Sequence, residues 1–447
     1  MALIGSDRIR AVVGLGVSGL SCAKFLASKG LDFYVVDSRD SPPGLDEIKS
    51  IVPVERIFTG SLDKLLTLPV TELFVSPGVA LAEPVLQTLA QQGALMRGDV
   101  DLFCEHIDAP LIAITGSNAK STVTTMVADI LLALGKNVQV GGNLGRPALD
   151  LLGKKPDYYV LELSSFQLET TQVLNAEIAC ILNVSEDHMD RYDSLYDYQR
   201  VKQKVYRNCK SAVCNKQDIL TAPLLPVGTP VAVFTAGFAD LKEFGLLEDD
   251  GFWLCHGVKR LYHSSQIKLK GKHNYANFLA SFAMLHLLGV DLEDKVIADY
   301  LLDFSGLPHR CEFVSEHNGV TYINDSKGTN VGATLAALEG LGSRQKNIHL
   351  LLGGQGKGAD FAPLLSGLTK FVKSARLFGE DADIIASTLA DYGGLTRYVD
   401  LDEAMLACVK EAEPGDIVLF SPACASFDQF ASYVARGEYF TSLVEAL

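Results

Sequence analysis

Short apolar runs alternate with amphipathic stretches along most of the chain, the pattern of parallel strands covered by helices. Residues 10–13 read as a strand, followed by a glycine-rich turn and a helix to about Lys29 that stops at Gly30. Phe33 to Val36 predicts the next strand, ending at Asp37, and Glu72 to Val75 a third, running into Ser76-Pro77-Gly78. The pattern restarts near Gly98. Leu111 to Ile114 predicts a strand, and Val123, Met126, Val127, Ile130, Leu131 and Leu134 share one face of the helix after it. Strands are expected at 158–163 and 178–184, and a helix from about Leu195 to Cys209. The stretch at about 211–270 is β-rich and irregular. A third restart follows Gly306-Leu307-Pro308, with strands at 322–323, 349–352, 376–378 and 417–420.

Composition narrows this picture. At 447 residues the chain has room for roughly three domains. Apolar residues are 48% and charged residues 21%, enough for ordinary cores and incompatible with a disordered chain. The net charge of −15 argues against a general nucleic-acid binder. Nine cysteines, an odd number without a CxxC pair, read as free thiols in a reducing compartment. No apolar run is long enough to span a membrane and no export signal is visible, so a cytoplasmic protein is expected.

Several strand ends carry chemistry. Gly14-Leu15-Gly16-Val17-Ser18-Gly19 sits between a strand and a helix, with Asp37 at the end of the next strand. Glycines allow a tight turn, the helix N-terminus offers N–H groups to a diphosphate, and Asp37 could accept from a ribose hydroxyl. A nicotinamide dinucleotide and a nucleotide-sugar both fit. Thr115-Gly116-Ser117-Asn118-Ala119-Lys120-Ser121-Thr122 is a second strand–helix loop. Its N–H groups can wrap a triphosphate, Lys120 can neutralise it, and the Ser121 hydroxyl can ligate Mg²⁺. Ala119 stands where such loops usually have Gly, and carries a penalty if that position needs a positive φ.

Glu162 lies near the C-terminal end of a buried-looking strand, where catalytic groups collect. It reads either as a metal ligand or as one half of an ion pair. His188, just past another strand end, reads as a metal ligand or a capping residue, whereas Glu186, Asp187 and Asp190 read as solvated. Lys202 shares an apolar helix face with Tyr198, Val205, Tyr206 and Cys209. It either snorkels to water or is a desolvated amine. The loops 324–330, 353–357 and 421–426 present small residues, with Lys327 and Lys357, where a small anion could bind; Cys424 reads as a buried apolar residue.

Ile114 to Thr125, Leu161 to Glu169, Asn183 to Tyr192, Gly306 to Arg310, Asn324 to Asn330 and Ser421 to Ser426 together resemble the Mur ligases over essentially the whole chain. The resemblance implies an α/β protein of three domains: a Rossmann-like N-terminal domain (1–98), a P-loop-like central ATPase domain (99–306) and a Rossmann-like C-terminal domain (307–447). It implies an ATP-dependent ligase that joins D-glutamate to UDP-N-acetylmuramoyl-L-alanine through an acyl phosphate, as a cytoplasmic monomer in peptidoglycan precursor synthesis. On this resemblance, Val17, Ser18, Asp37, Ser38, Arg39, Ser76, Pro77 and Gly78 meet the UDP part and Asn143 the muramoyl side. ATP is held by Gly116, Ser117, Asn118, Ala119, Lys120, Ser121 and Thr122, with Asn274, Asn277, His309, Arg310 and Asp325 around the adenosine. Thr329, Lys357, Ser426 and Tyr433 receive D-glutamate; Tyr433 stands where the family typically has Phe. Two Mg²⁺ ions are implied, one on Ser121 and Glu162, the other on His188 and a carbamylated Lys202, with Lys120, Lys327 and Lys357 completing the catalytic set. The competing readings are a nicotinamide dehydrogenase, which leaves the second phosphate loop unexplained, a P-loop nucleotide switch, and folate polyglutamylation, which lacks a UDP-binding domain.

Overall fold

The computed structural model describes residues 8–342 and 345–447. The chain divides into two compact units. The first takes the chain up to Asn183, with Tyr198–Phe234 and Ala280–Leu292; the second takes Val184–Asp197, Thr235–Leu279 and Glu293–Leu447.

The first unit begins with strands β1 (Arg10–Val13), β2 (Phe33–Asp37), β3 (Ile57–Thr59), β4 (Glu72–Val75) and β5 (Leu95–Arg97). They form a sheet in the order β3-β2-β1-β4-β5, with every pairing parallel. This is the order of a mononucleotide-binding fold, in which the chain reverses direction beside β1 and leaves a crevice at the strand C-termini. Ala11, Val12, Val13, Val35 and Val36 are fully buried, which explains why these strands read as continuous apolar runs.

The same unit continues with β6 (Leu111–Thr115), β7 (Val138–Gly142), β8 (Tyr158–Glu162), β9 (Ile178–Ile181), β10 (Ser211–Asn215) and β11 (Val231–Phe234). They run parallel in the order β11-β10-β9-β6-β8-β7. The helix Lys120–Ala133 follows β6 and buries Val123, Met126, Val127, Ile130 and Leu131, the apolar face visible in the sequence.

The second unit holds an antiparallel set, β12 (Phe244–Glu248), β13 (Phe252–His256) and β14 (Lys259–His263). It also holds β15 (Glu312–His317), β16 (Val320–Asn324), β17 (Ile348–Gly353), β18 (Val372–Phe378), β19 (Leu395–Arg397) and β20 (Ile417–Phe420), in the order β15-β16-β20-β17-β18-β19. Only the β15–β16 pairing is antiparallel in this sheet. Alternate residues feed two cores: Leu350, Leu352 and Leu419 one, Leu351, Val418 and Phe420 the other.

Two expected elements are shorter. The strand at 178–184 ends at Ile181, because Asn183 is used to hold a loop. The helix expected to Cys209 is α-helical only over Leu195–Lys202 and continues as a 3-10 turn, Gln203–Tyr206. Tyr206 explains the break: its hydroxyl shares its one proton between the carbonyls of Val213 and Thr221, each 2.9 Å away, and accepts from the N–H of Ile181, fastening this segment to the sheet.

Candidate active site

The first unit presents two strand–loop–helix turns. In the first, Gly14 has φ +87°, and a Cβ on Gly19 would sit 1.8 Å from the Gly14 carbonyl oxygen, so both must be glycine. Gly16 is different: a Cβ there would meet nothing closer than the Ser76 Oγ at 3.8 Å. Asp37 is buried and already fully engaged. Its Oδ2 accepts from Leu15 N (2.6 Å) and the Arg39 guanidinium (2.7 Å), its Oδ1 from Arg39 N (2.8 Å) and Nε (2.9 Å). Burial opposes its ionisation, but the Arg39 side chain and the backbone N–H groups outweigh this and hold its carboxyl below the usual range. Asp37 therefore braces the glycine loop, with Arg39 covering the oxygens expected to meet a ribose. Val17, Ser38, Arg39 and Gly78 are exposed, Ser18 and Pro77 partly so, and Ser76 is buried beneath the turn.

In the second turn Ala119 has φ +64° and ψ 1°, the left-handed conformation, and is the N-cap of the helix Lys120–Ala133. The penalty foreseen for an alanine there applies. The loop is held from beside: Asn183 accepts from Ser117 N through its carbonyl (2.9 Å) and from Asn118 N through Oδ1 (2.7 Å), and returns a bond to the Asn118 carbonyl. Lys120 Nζ donates to the carbonyls of Gly116 and Ser117, both at 2.9 Å. Lys202 Nζ donates to the same Gly116 carbonyl, also at 2.9 Å, and lies 4.4 Å from the Tyr198 ring centre. Lys202 is 1% exposed, so it does not snorkel. Ser121 and Thr122 are buried at the start of the helix.

Glu162 pairs in register with Ile114, so it leaves the same sheet edge as this loop. Its Oε1 accepts from Asn143 Nδ2 at 2.6 Å, while its buried Oε2 has no hydrogen-bond partner among the described residues. Asn143 is thus placed on the acid. An orphaned, buried carboxylate oxygen beside a phosphate-type loop fits a hard cation better than an ion pair, since no Lys or Arg meets it among the described residues.

The second unit gathers the remaining residues. Asp325 is buried at the end of β16. It accepts from Cys311 N (3.1 Å) and Ser421 Oγ (2.6 Å), tying the segments at 306–311, 324–330 and 421–426 together. Burial, only partly offset by these bonds, lifts its carboxyl to about 6. A Cβ on Gly328 would lie 2.6 Å from Asp325 Oδ2. His309 has φ +62°; its carbonyl accepts from Lys327 N, and its Nδ1 lies 3.1 Å from Asn324 Nδ2. Lys327 Nζ sits 3.8 Å from the Tyr433 ring centre. Asn274 and Asn277 lie one turn apart on the helix Lys272–Leu287, 3.4 Å between Nδ2 and Oδ1. Arg310 and Thr329 are half-buried, and Ser426 is 2% exposed.

Asp187 corrects the sequence reading. It is not solvated: it is 8% exposed, ion-paired with Lys357 and hydrogen-bonded by Asn330 Nδ2 at 3.1 Å, with His188 Nε2 3.7 Å away. Glu186 and Asp190 are exposed as expected. The loop 353–357 is also less open to an anion than expected, because the Asp381 carboxylate takes the Gly356 N–H at 2.6 Å. Cys424 is fully buried with its thiol pushed up to about 12 by burial, which suits a packing role.

Two residues escaped the sequence reading. Arg436 is fully buried and donates to the carbonyls of Ser326, Cys424 and Ala425 and to Ser326 Oγ; burial lowers its guanidinium to about 10. An arginine inside an amphipathic terminal helix carries no local signal of burial. Asn183 escaped too, although its place at a strand end beside the phosphate loop was a usable clue.

Three family models match in order: the N-terminal domain of MurD-like Mur ligases at residues 8–98, the Mur ligase middle domain at 114–285, and the Mur ligase glutamate ligase domain at 309–424. Proteins named UDP-N-acetylmuramoylalanine–D-glutamate ligase match along the full length of both chains, at 48% identity from Pseudomonas aeruginosa and 47% from Marinobacter nauticus. The chain belongs to the Mur ligase family. Among solved structures, the Mur ligase fold recurs in the UDP-N-acetylmuramate–alanine ligase MurC of Thermotoga maritima, with a TM-score of 0.60, 19% identity, and 98% of this chain and 99% of that one covered. The MurF ligase of the same organism, solved in complex with ADP, has a TM-score of 0.60 at 16% identity, covering 100% and 96%. Among the described residues of this Mur ligase no helix is long and apolar enough to cross a membrane.

Proposed function

We propose that this Mur ligase joins D-glutamate to UDP-N-acetylmuramoyl-L-alanine, converting ATP to ADP and phosphate, as a cytoplasmic monomer supplying peptidoglycan precursor. The full-length similarity to ligases of that name supports the substrates. The observation that carries the chemistry is the loop 115–122, with two lysines on one carbonyl and the orphaned Glu162 oxygen at the same sheet edge. Family models at 8–98, 114–285 and 309–424 support domains at 1–98, 99–306 and 307–447.

In this reading Gly116 to Thr122 cradle the triphosphate, and Lys120 exchanges its carbonyl bonds for phosphate oxygens. Asn274, Asn277, His309, Arg310 and Asp325 receive the adenosine. Val17, Ser18, Ser38, Arg39 and the 76–78 turn receive the UDP part, with Asp37 shaping their loop and Asn143 near the muramoyl chain. Ser121 and Glu162 would hold Mg²⁺, and His188 with carbamylated Lys202 a second ion; such cations neutralise the two anions that must meet. Carbamylation also replaces the second ammonium on the Gly116 carbonyl by an anion, removing a like-charge contact. The substrate carboxylate attacks the γ-phosphorus and ADP leaves. The D-glutamate amine, positioned by Thr329, Lys357, Ser426 and Tyr433, then attacks the acyl carbon, and phosphate departs from the tetrahedral intermediate. Lys327 and Lys357 balance the charge that develops.

The test is phosphate release from ATP with UDP-N-acetylmuramoyl-L-alanine, comparing D-glutamate, L-glutamate, L-lysine and D-alanine. Turnover with D-glutamate alone supports the reading. Equal release without an amino acid would point to a simple nucleotide hydrolase.

A further inference from the structure

A second buried acid lies behind the first glycine loop. Asp99 opens the short helix Asp99–Cys104 directly after β5. It is 4% exposed, and neither carboxylate oxygen makes a hydrogen bond of ordinary geometry among the described residues. It lines a crevice too narrow for a water molecule, shared with Ser18, Gly19, Cys22, Phe74 and Ser76. Ser18 and Gly19 open the helix that ends the glycine loop, and Ser76 starts the turn after β4. The wall of this crevice is therefore the back of the surface assigned above to the diphosphate.

The surroundings do not neutralise a charge on Asp99. On its own helix, Asp101 and Cys104 are an anion and a thiol. Arg97 of β5 is committed to Glu72 of β4 (3.1 Å) and to Glu105 (2.6 Å). The helix Val17–Ser28 contributes Cys22, whose thiol burial pushes up. The turn Ala148–Leu151 contributes Asp150, bonded by Ser21 at 2.6 Å, and the helix Ser165–Thr170 contributes Glu169, whose carbonyl bonds Lys204. Burial, with Asp101 adding to it, lifts the Asp99 carboxyl to about 6, although Ser18 and the N–H groups of Asp99 and Val100 pull the other way.

We infer that Asp99 is a proton-linked positioning residue of the sugar-nucleotide site, taking up a proton from solvent when a diphosphate binds at the Gly14–Gly19 loop. The inference rests on the assignment of that loop to the UDP part. A bound diphosphate brings two negative charges to the other side of Ser18 and Ser76. Across these side chains and a crevice that admits no water, their field raises the cost of an ionised Asp99 more than it would across bulk water. The ester-linked diphosphate and the alanine carboxylate of the ligand do not titrate near neutrality, so a proton gained there comes to the protein.

The experiment is calorimetric titration of the full chain with UDP-N-acetylmuramoyl-L-alanine at pH 7 in two buffers of different ionisation enthalpy, repeated from pH 6 to pH 8. The wild type should take up a fraction of a proton and bind several-fold more weakly at pH 8 than at pH 6. Asp99→Asn should bind at least as tightly at pH 8, with no uptake and a flat pH profile; Asp99→Ser, smaller, should also be flat. Uptake that persists in both variants, or a wild type with no uptake, overturns the inference. Absence of binding by the wild type would instead overturn the assignment of the loop.

Discussion

The two phosphate-type loops of the first unit share a plan and differ in sign. Both follow a central parallel strand and open a helix. The loop at 14–19 is closed by a carboxylate: Asp37 accepts from Leu15 N and is locked by Arg39. The loop at 115–122 is closed by cations, with Lys120 and Lys202 both on the Gly116 carbonyl. A diphosphate that is only held needs N–H groups and a fixed backbone. A triphosphate that is to be broken needs mobile positive charge that can move onto the leaving group. The backbone differs accordingly. The first loop uses glycine where φ is positive, at Gly14; the second places alanine there, at Ala119.

The largest effect expected from this contrast is at Lys120. Lys120→Ala should lower turnover by about a thousandfold, roughly 4 kcal/mol of transition-state stabilisation, without changing affinity for UDP-N-acetylmuramoyl-L-alanine. Parallel steady-state assays and calorimetry would check this; equal loss at both loops would erase the contrast.

Lys202 comes next. Lys202→Ala should lose about a hundredfold in turnover, roughly 3 kcal/mol, and recover part of it with a high concentration of a short carboxylic acid. Lys202→Arg should be inactive and not rescued, because it keeps a positive charge and a larger head where the proposed carbamate would place an anion. A mild Ala phenotype indifferent to acids would mean that Lys202 serves only packing and the Gly116 carbonyl.

Gly19→Ala should act on the first loop alone. Its methyl would collide with the Gly14 carbonyl, so thermal unfolding should report a loss of about 2–3 kcal/mol and UDP-substrate affinity should fall. ATP affinity should hold. A variant with wild-type stability would mean that the loop relaxes without cost.

Ala119→Gly is the smallest change and the only favourable one. Relieving a left-handed alanine should stabilise the protein by up to about 1 kcal/mol, with ATP affinity altered less than tenfold. A destabilised glycine variant would indicate that loop entropy outweighs the relieved strain.

Much of this was legible in the chain. Strands β1, β2, β4 and β20 could be placed nearly to the residue because a parallel strand covered on both faces must be apolar throughout. The glycine and lysine loops could be read because their chemistry is local. Asp187 could not. Among three acids within five residues, only the arrival of Lys357 and Asn330 from far along the chain distinguishes it from exposed Glu186 and Asp190. The helix end at Lys202 was hidden for the same reason, since Tyr206 is drawn to the carbonyls of Val213 in a strand and Thr221 in a 3-10 turn, which lie outside any helical period.

Sequence by itself determined the α/β class, the succession of strand-end loops and the residue types that meet phosphates, because periodicity and turn chemistry act over a few neighbours. Tertiary structure decided the charge environment. It put a second lysine on the Gly116 carbonyl, left one oxygen of Glu162 without a hydrogen-bond partner among the described residues, buried Arg436 among three carbonyls and set Asp99 on a crevice too narrow for water. Burial and long-range pairing set the energy of a charge, and neither is written in the residues beside it.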